Sequence, residues 1–254
     1  MSYPTISVIT VVLNDKNNIE NTIKSVISQT YTDIEYIIID GGSTDGTVEI
    51  INRYLERIST FITEPDKGLY DAMNKGTNLA TGEWISYMNS GDQFNNKNVL
   101  HKIFVDNNDV ISNKDVIYSD VITDFKTKRK IRKARNIDLF WRGLPFSHQA
   151  VLVKTKISKN RYFDLKYVTI ADYDFLYAAF SQNAKFYYFN YPIAIVDATT
   201  GVSKNMKLKN HYKCFFEISK KYSSNIQIAF LFFYIPIEYL YAILRRCFLD
   251  FKKQ

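Results

Sequence analysis

Two polar clusters and one histidine in this sequence have residue types and surroundings that suit chemistry. Asp40 ends the apolar run Ile34–Ile39 and opens the turn GGSTDGT. A carboxylate at the end of a buried strand suits accepting a hydrogen bond from a base or ribose, and equally suits capping the turn that follows. The tetrapeptide NSGD, Asn89–Asp92, follows the run Trp84–Met88. There Asp92, with Gly91 allowing close backbone approach, could hold Mg2+ or Mn2+ against a diphosphate, because hard cations take carboxylate oxygens and share substrate phosphates. The same four residues also read as an Asx/Gly turn. His148 precedes an apolar strand and suits either a contact to acceptor or donor phosphates or a hydrogen-bonded core position. No motif surrounds His101 or His211. GGSTDG lacks the GxGxxG spacing, and no GxxxxGK[ST] loop occurs, so neither common phosphate-binding fingerprint is present.

The elements that must position these residues alternate. Thr5–Leu13 is a continuous β-branched run, as expected of a strand buried on both faces. Apolar residues Ile19, Ile23, Val26 and Ile27 then recur at helical spacing over about 17–28. Further strands are expected at 34–39, 61–63 and 84–88, and further helices after Thr44 and Asp45 (candidate caps) and over 70–79. After Leu100 the spacing predicts a hairpin from 116–121 and 130–133, a strand over 149–154 and a helix over 172–180. This pattern argues for a parallel sheet with helices on both faces, whose carboxyl edge carries Asn14, Asp40 and Asn89–Asp92 and is where ligands bind in such sheets.

Composition narrows the class. At 46% hydrophobic and 23% charged residues, the 254-residue chain is an ordinary globular sequence rather than a disordered one. Two cysteines exclude a disulfide scaffold and a CxxC-based zinc site. The first residues, MSYPTISVITVV, lack the basic and small-residue features of a secretory signal, so cytoplasmic residence is the expectation. The net charge of +7 belongs entirely to the end of the chain: residues 201–254 hold ten basic and three acidic side chains, leaving 33 − 10 = 23 basic and 26 − 3 = 23 acidic before them. Domain expectations follow this division: 1–203 as a body (1–100 for the donor, 101–203 for the acceptor) and 204–254 as a basic, aromatic tail.

In order and spacing, ISVITVVLN, IIIDGGSTDGT, EPDKGLYDAMNKG and TGEWISYMNSGD, followed by LPFSHQAVLVK and FDLKYVTIADYDFL, resemble family 2 glycosyltransferases, most closely bacterial members that build capsule, exopolysaccharide or O-antigen chains. The resemblance implies the α/β GT-A fold, with a mixed, mostly parallel sheet flanked by helices, a nucleotide-sugar donor (UDP-linked), Mg2+ or Mn2+, and inversion at the anomeric carbon. It places Asp40 at the uracil, with Thr10, Val12 and Asn14 lining the base pocket, and assigns Asp92 to the metal with Ser90 and Gly91 beside the donor. Asn89 and Gly91 stand where many relatives have acidic residues. Met73 replaces a common arginine, whose charge Lys75 or Lys67 would supply, and Asp71 would reach the donor or lie on a helix surface. Asp172 matches the family's catalytic base, with Ala171 in place of the usual glutamate. Inverting transfer needs one carboxylate to take the acceptor hydroxyl's proton as that oxygen attacks. Asp174 is the rival, but positions i and i+2 do not share a helix face.

The tail reads IQIAFLFFYIPIEYLYAILRRCFL over 226–249. It approaches the length of a spanning helix but carries Gln227, Pro236, Glu238, Arg245 and Arg246. Pro236 is expected to break or kink it, giving two interfacial helices on an anionic membrane surface; packing on the body or in a homodimer is the alternative. The expectation for the whole is a membrane-associated transferase acting on a polyprenyl-diphosphate-linked saccharide, with no nucleic acid among its partners. The departures at Asn89, Gly91, Ala171 and Met73 keep a non-catalytic nucleotide-sugar-binding or scaffold subunit as the rival.

Overall fold

The structure is a computed structural model that describes residues 3–198 and 208–251. Its centre is a nine-stranded mixed sheet. The run at the N-terminus forms β1 (Ile6–Val12), every residue of which is buried. Side-chain alternation explains why: Ile9 and Val11 enter the core on one face, while Ile6, Val8 and Val12 enter it on the other. Helix α1 (Ile19–Ile27) returns the chain to β2 (Ile34–Asp40), and α2 (Thr47–Asn52) returns it to β3 (Thr60–Thr63). Helix α3 (Leu69–Leu79) leads into β4 (Trp84–Tyr87). These four strands pair in parallel in the order β3-β2-β1-β4. Gly76 lets α3 sit close on β1, since a Cβ there would stand 2.5 Å from Cγ2 of Ile9.

The second half is less regular, for a topological reason. It begins with β5 (Gln93–Phe94) and the helices α4 (Val99–Phe104) and α5 (Asn108–Ile111). The expected hairpin is present as β6 (Val116–Asp124) and β7 (Arg129–Arg132), paired antiparallel. The expected strand at 149–154 is shorter, because residues 148–150 form a 3-10 turn before β8 (Val151–Lys154). β8 joins β4 to β6 antiparallel on both sides. Helices α6 (Thr155–Asn160) and α7 (Ala171–Ser181) precede β9 (Phe186–Asp197), which pairs parallel with β6 and antiparallel with β5. Parallel pairing thus covers the first half and one later ladder; the remaining ladders are antiparallel.

The tail forms α8 (Leu208–Tyr222) and α9 (Asn225–Phe251). The boundary expected at 203/204 lies outside the described residues. Helix α8 buries Phe215 and Ile218, and α9 buries Leu231, in the core shared with α3 and α7. Pro236 lies inside α9 and does not end it; the carbonyl that loses a donor belongs to Phe232, itself exposed. The opposite side of α9 exposes Ile226, Phe230, Phe233, Ile237 and Tyr241, a stripe at three- and four-residue spacing. No helix among the described residues is long and apolar enough to cross a membrane.

Candidate active site

A cleft of about 1060 Å3 opens at the carboxyl ends of β1 and β4. Two turns form its lip. Asn14 takes a left-handed φ of 50°, which asparagine tolerates better than most residues. Its Oδ1 accepts from the Thr44 amide (2.8 Å), and its own amide donates to Ser43 Oγ (2.7 Å). Next to it Asp15 Oδ2 accepts from Ser90 Oγ at 2.7 Å, which ties the turn after β1 to the turn after β4.

The turn Asn89–Asp92 closes on itself, the Asp92 amide donating to the Asn89 carbonyl at 2.9 Å. Gly91 at φ +93° supplies the left-handed conformation the turn needs. Its amide donates to Thr22 Oγ1, whose hydroxyl donates in turn to the Asp92 carbonyl. The Asp92 side chain is buried. Burial pushes its carboxyl up to about 7, against the charge of His148 and a hydrogen bond from Gln149, and the nearby Asp197 raises it further. Asn89 Oδ1 is buried without a hydrogen-bond partner. The turn thus carries two hard-oxygen groups of the kind Mg2+ or Mn2+ takes, a buried carboxylate and an unpartnered amide oxygen. No group of three or more His, Cys, Asp or Glu residues suited to a metal occurs among the described residues, so other oxygens must complete any coordination shell.

Across the cleft stands Asp172, in the first turn of α7. Its Oδ1 accepts from Tyr70 Oη (3.0 Å) and from the Tyr173 amide (2.9 Å); its Oδ2 pairs with His148 Nδ1 at 3.0 Å. Burial alone would raise this carboxyl, but the bonds and charge of His148, with Tyr70 and the amide, outweigh it and hold the group below its ordinary value. Burial opposes a proton on His148, yet Asp172 and Asp92 together keep its imidazole above the usual value. His148 therefore bridges the two carboxylates of the cleft. Its Nε2 lies 3.4 Å from Asn89 Nδ2.

Asp174 points elsewhere. It is 1% exposed and pairs with Arg161 (2.6 Å) and Lys221 (3.0 Å), while Tyr222 donates to it at 3.1 Å. These partners fasten α7 to α8.

The other expected site residues divide. Val12, Asn14, Ser90, Gly91 and His148 line the cleft with Asp92 and Asp172. Thr10 does not: it is fully buried, and its hydroxyl is bonded to Tyr36 Oη and the Met88 carbonyl. Asp40 is also fully buried, and its Oδ2 accepts from Gly42, Ser43 and Thr63, so it does cap the turn; its Oδ1 has no partner. Asp71 accepts from the Lys67 amide, and Lys75 pairs with Glu64 and the Pro65 carbonyl, so both brace the loop before α3 outside the cleft. Asp45 bonds the Thr47 amide and hydroxyl at the start of α2.

Sequence reasoning passed over Tyr70, Arg132, Gln149 and Asp197. Tyr70 sits in EPDKGLYD, where the carboxylates drew attention. Arg132 lies in KTKRKIRKAR, which reads as a solvated hairpin; it lines the cleft. It lies on β7, whose residues are all exposed, and it has no carboxylate within salt-bridge distance among the described residues.

The mixed sheet flanked by helices, with Asp92 and Asp172 both lining a cleft at the carboxyl ends of β1 and β4, is of the α/β GT-A type. The comparisons agree: residues 7–184 match the sequence model of Glycosyl transferase family 2, and the chain belongs to that family. A PGL/p-HBAD biosynthesis glycosyltransferase of Mycobacterium bovis is 31% identical over 192 residues, covering 72% of this chain and 73% of the relative. An uncharacterized glycosyltransferase of Methanocaldococcus jannaschii is 25% identical over 98% of this chain and 92% of its own length. Among solved structures, residues 1–349 of S. aureus TarS in complex with UDP-GlcNAc superpose with a TM-score of 0.69 at 20% identity, covering 84% of this chain; this chain spans 65% of that one. A mannosyltransferase from Pyrobaculum calidifontis, PcManGT, in complex with GDP-Man and Mn2+, gives 0.66 at 14% identity over 95% of this chain and 72% of its own.

Proposed function

We propose that this glycosyltransferase is inverting and metal-dependent, moving a sugar from a UDP-linked donor to a lipid-linked oligosaccharide in surface polysaccharide synthesis. The observation that carries the reading is Asp172: a carboxylate held ionised at one wall of the cleft, opposite the buried Asp92. A carboxylate offers about four lone-pair directions. Tyr70 and the Tyr173 amide take two at Oδ1, and His148 takes one at Oδ2. The remaining direction at Oδ2 suits an acceptor hydroxyl, whose proton Asp172 removes as the oxygen attacks the anomeric carbon. Tyr70 and His148 fix the carboxylate for that task. On the opposite wall, Asp92 and Asn89 Oδ1 would hold Mg2+ or Mn2+, which supplies charge to the departing nucleoside diphosphate. Arg132 adds a fixed positive charge there.

Two solved structures of the same fold support the donor class, one bound to UDP-GlcNAc and one to GDP-Man with Mn2+. The exposed apolar stripe of α9 and the exposed Lys213 and Lys220 of α8 support peripheral attachment to an anionic membrane at its cytoplasmic face. The test is a thermal-shift screen of UDP- and GDP-sugars with Mn2+, followed by donor turnover in the wild type and in Asp172→Asn. Turnover lost in the variant with donor binding kept supports the reading. Donor binding without any turnover in the wild type would favour the non-catalytic subunit instead.

A further inference from the structure

The hairpin β6–β7 divides its charge unevenly between its two faces. β7 has one strand neighbour, β6, and all four of its residues are exposed. Directly opposed residues of an antiparallel pair share a face, and faces alternate along each strand. On one face Arg129 stands opposite Asp124 and pairs with it at 2.8 Å, and Lys133 pairs with Asp120 at 2.6 Å. Both cations of that face are neutralised. On the other face Lys130 stands opposite Thr123, and Arg132 opposite Val121. Thr123 and Arg132 line the donor cleft, so this face lies on the cleft side. At the turn the Phe125 amide donates to the Lys128 carbonyl at 3.0 Å, which sets Phe125 and Lys128 at the outer end of the same face. Phe125 is 41% exposed. Among the described residues, Arg129 and Lys133 are the only basic side chains of 126–133 in salt bridges, so Lys128, Lys130 and Arg132 carry uncompensated charge.

We propose that the cleft-side face of this hairpin is a contact surface for an anionic lipid bilayer, with Lys128 and Lys130 at the headgroups and Phe125 in the interface. The proposal rests on the reading of peripheral attachment given above, adds a second contact to that of the tail, and names the side of the body that meets the membrane. Charge and reach select the occupant. A strand advances about 3.3 Å per residue, so Lys128 stands about 13 Å beyond Arg132 and outside the reach of a diphosphate held there. Lysines left unpaired on one face alone are complementary to an extended negative surface, and the ring beside them suits the headgroup region, where its apolar body leaves water. Continuity with the tail favours lipid over other polyanions. The loop that leaves the hairpin carries Trp141, whose ring lies 6.4 Å from that of Phe230 and 6.3 Å from that of Tyr234 on α9. Phe230 belongs to the exposed apolar stripe with Ile226 and Ile237. A bilayer offers those side chains an apolar layer beside its charged headgroups, and a nucleic acid does not. The cleft that Thr123 and Arg132 line then lies beside the membrane surface, where a lipid-carried acceptor resides.

The test is flotation of the full chain with vesicles of phosphatidylcholine, alone or mixed with phosphatidylglycerol, over a range of salt. The wild type is expected on the mixed vesicles, and less so as salt rises. Lys130→Gln should weaken that partition about fivefold, and Lys128→Gln with Lys130→Gln at least about tenfold, the size expected for lysines at an anionic surface. Arg129→Gln removes the same charge from the opposite face and should change partition by less than about twofold. Lys130→Arg keeps the charge and should partition like the wild type, which excludes a folding cause. In Phe125→Trp, brominated lipid should quench fluorescence beyond the background of Trp84 and Trp141. Equal losses in Lys130→Gln and Arg129→Gln overturn the proposal, because net charge alone then explains binding. Wild-type partition in both lysine variants, an unquenched Trp at position 125, or lysine-dependent binding to an oligonucleotide with none to vesicles overturns it as well. Phe230→Ser with Phe233→Ser in α9 separates the two contacts. Detachment of that variant with the hairpin variants unchanged keeps the tail reading and removes this one; the opposite pattern keeps this one and removes the tail. A wild type that floats with neither vesicle removes both.

Discussion

His148 Nδ1 stands 3.0 Å from Asp172 Oδ2, and the same imidazole feels the charge of Asp92 on the opposite wall. One proton on His148 therefore stabilises both carboxylates of the cleft. Replacing His148 with Ala should release Asp172 towards a higher pKa, as burial then acts without opposition. The acid limb of the rate–pH profile should move to higher pH by a unit or more; an unmoved limb would show that His148 does not set the charge of Asp172.

Asp172→Asn removes the proton acceptor and keeps the shape. We expect transfer to fall by about 10²–10⁴-fold, the usual size of a general-base contribution, with donor affinity within about twofold of the wild type. Full turnover would remove Asp172 from the base role.

Metal binding should follow the titration of Asp92. Its folded-state carboxyl is raised to about 7 from an ordinary 3.8. The protonated form is stable in the fold between those values, and above about 7 the fold must carry a buried charge. Without metal, stability should thus decline as pH rises from about 4 through 7. A cation must displace that proton, so Mn2+ affinity should fall about tenfold per pH unit below 7. Titrations at pH 6 and 8 check this, and Asp92→Ala should abolish the difference.

Asp174→Ala should behave unlike Asp172→Asn. It leaves Arg161 and Lys221 beside a cavity, and both are about one-third exposed. The loss should be about 2–3 kcal/mol, below the roughly 3–5 kcal/mol seen when a fully buried pair is broken. Denaturant unfolding measures it; a loss under about 0.5 kcal/mol would show that the cluster does not fasten α7 to α8.

Gly76→Ala tests the seat of α3. Its Cβ would meet Ile9 Cγ2 at 2.5 Å, and such overpacking costs about 1–3 kcal/mol. A neutral melting temperature would mean that α3 lifts off β1 freely.

The first hundred residues were legible because both faces of β1 and β2 are buried and period-two and helical spacings stay uninterrupted. The carboxyl-edge turns followed from the same pattern, and with them Asn14, Ser90, Gly91 and Asp92. What failed to show was contact between segments far apart. Tyr70 meets Asp172 across 102 residues of chain, and Asn89 meets His148 across 59. Thr10 looked like a pocket residue because it lies near the end of β1 on the same face as Val12; the bonds of its hydroxyl to Tyr36 and the Met88 carbonyl hold it in the core instead. The basic run 126–135 looked uniformly solvated, since nothing local distinguishes Arg132, which lines the cleft, from Lys133, which reaches from an exposed position to the buried Asp120.

The two aspartates of α7 sit less than one helical turn apart and face opposite ways, Asp172 into the cleft and Asp174 into the grip of α8. Helix α7 is thereby a short lever with its working end and its anchored end on the same turn. Lys221 and Tyr222 of α8 hold Asp174, so α8 and the carboxylate of Asp172 are joined through two residues of helix backbone. A substitution at that grip on the tail is therefore made two residues from the carboxylate that faces the cleft.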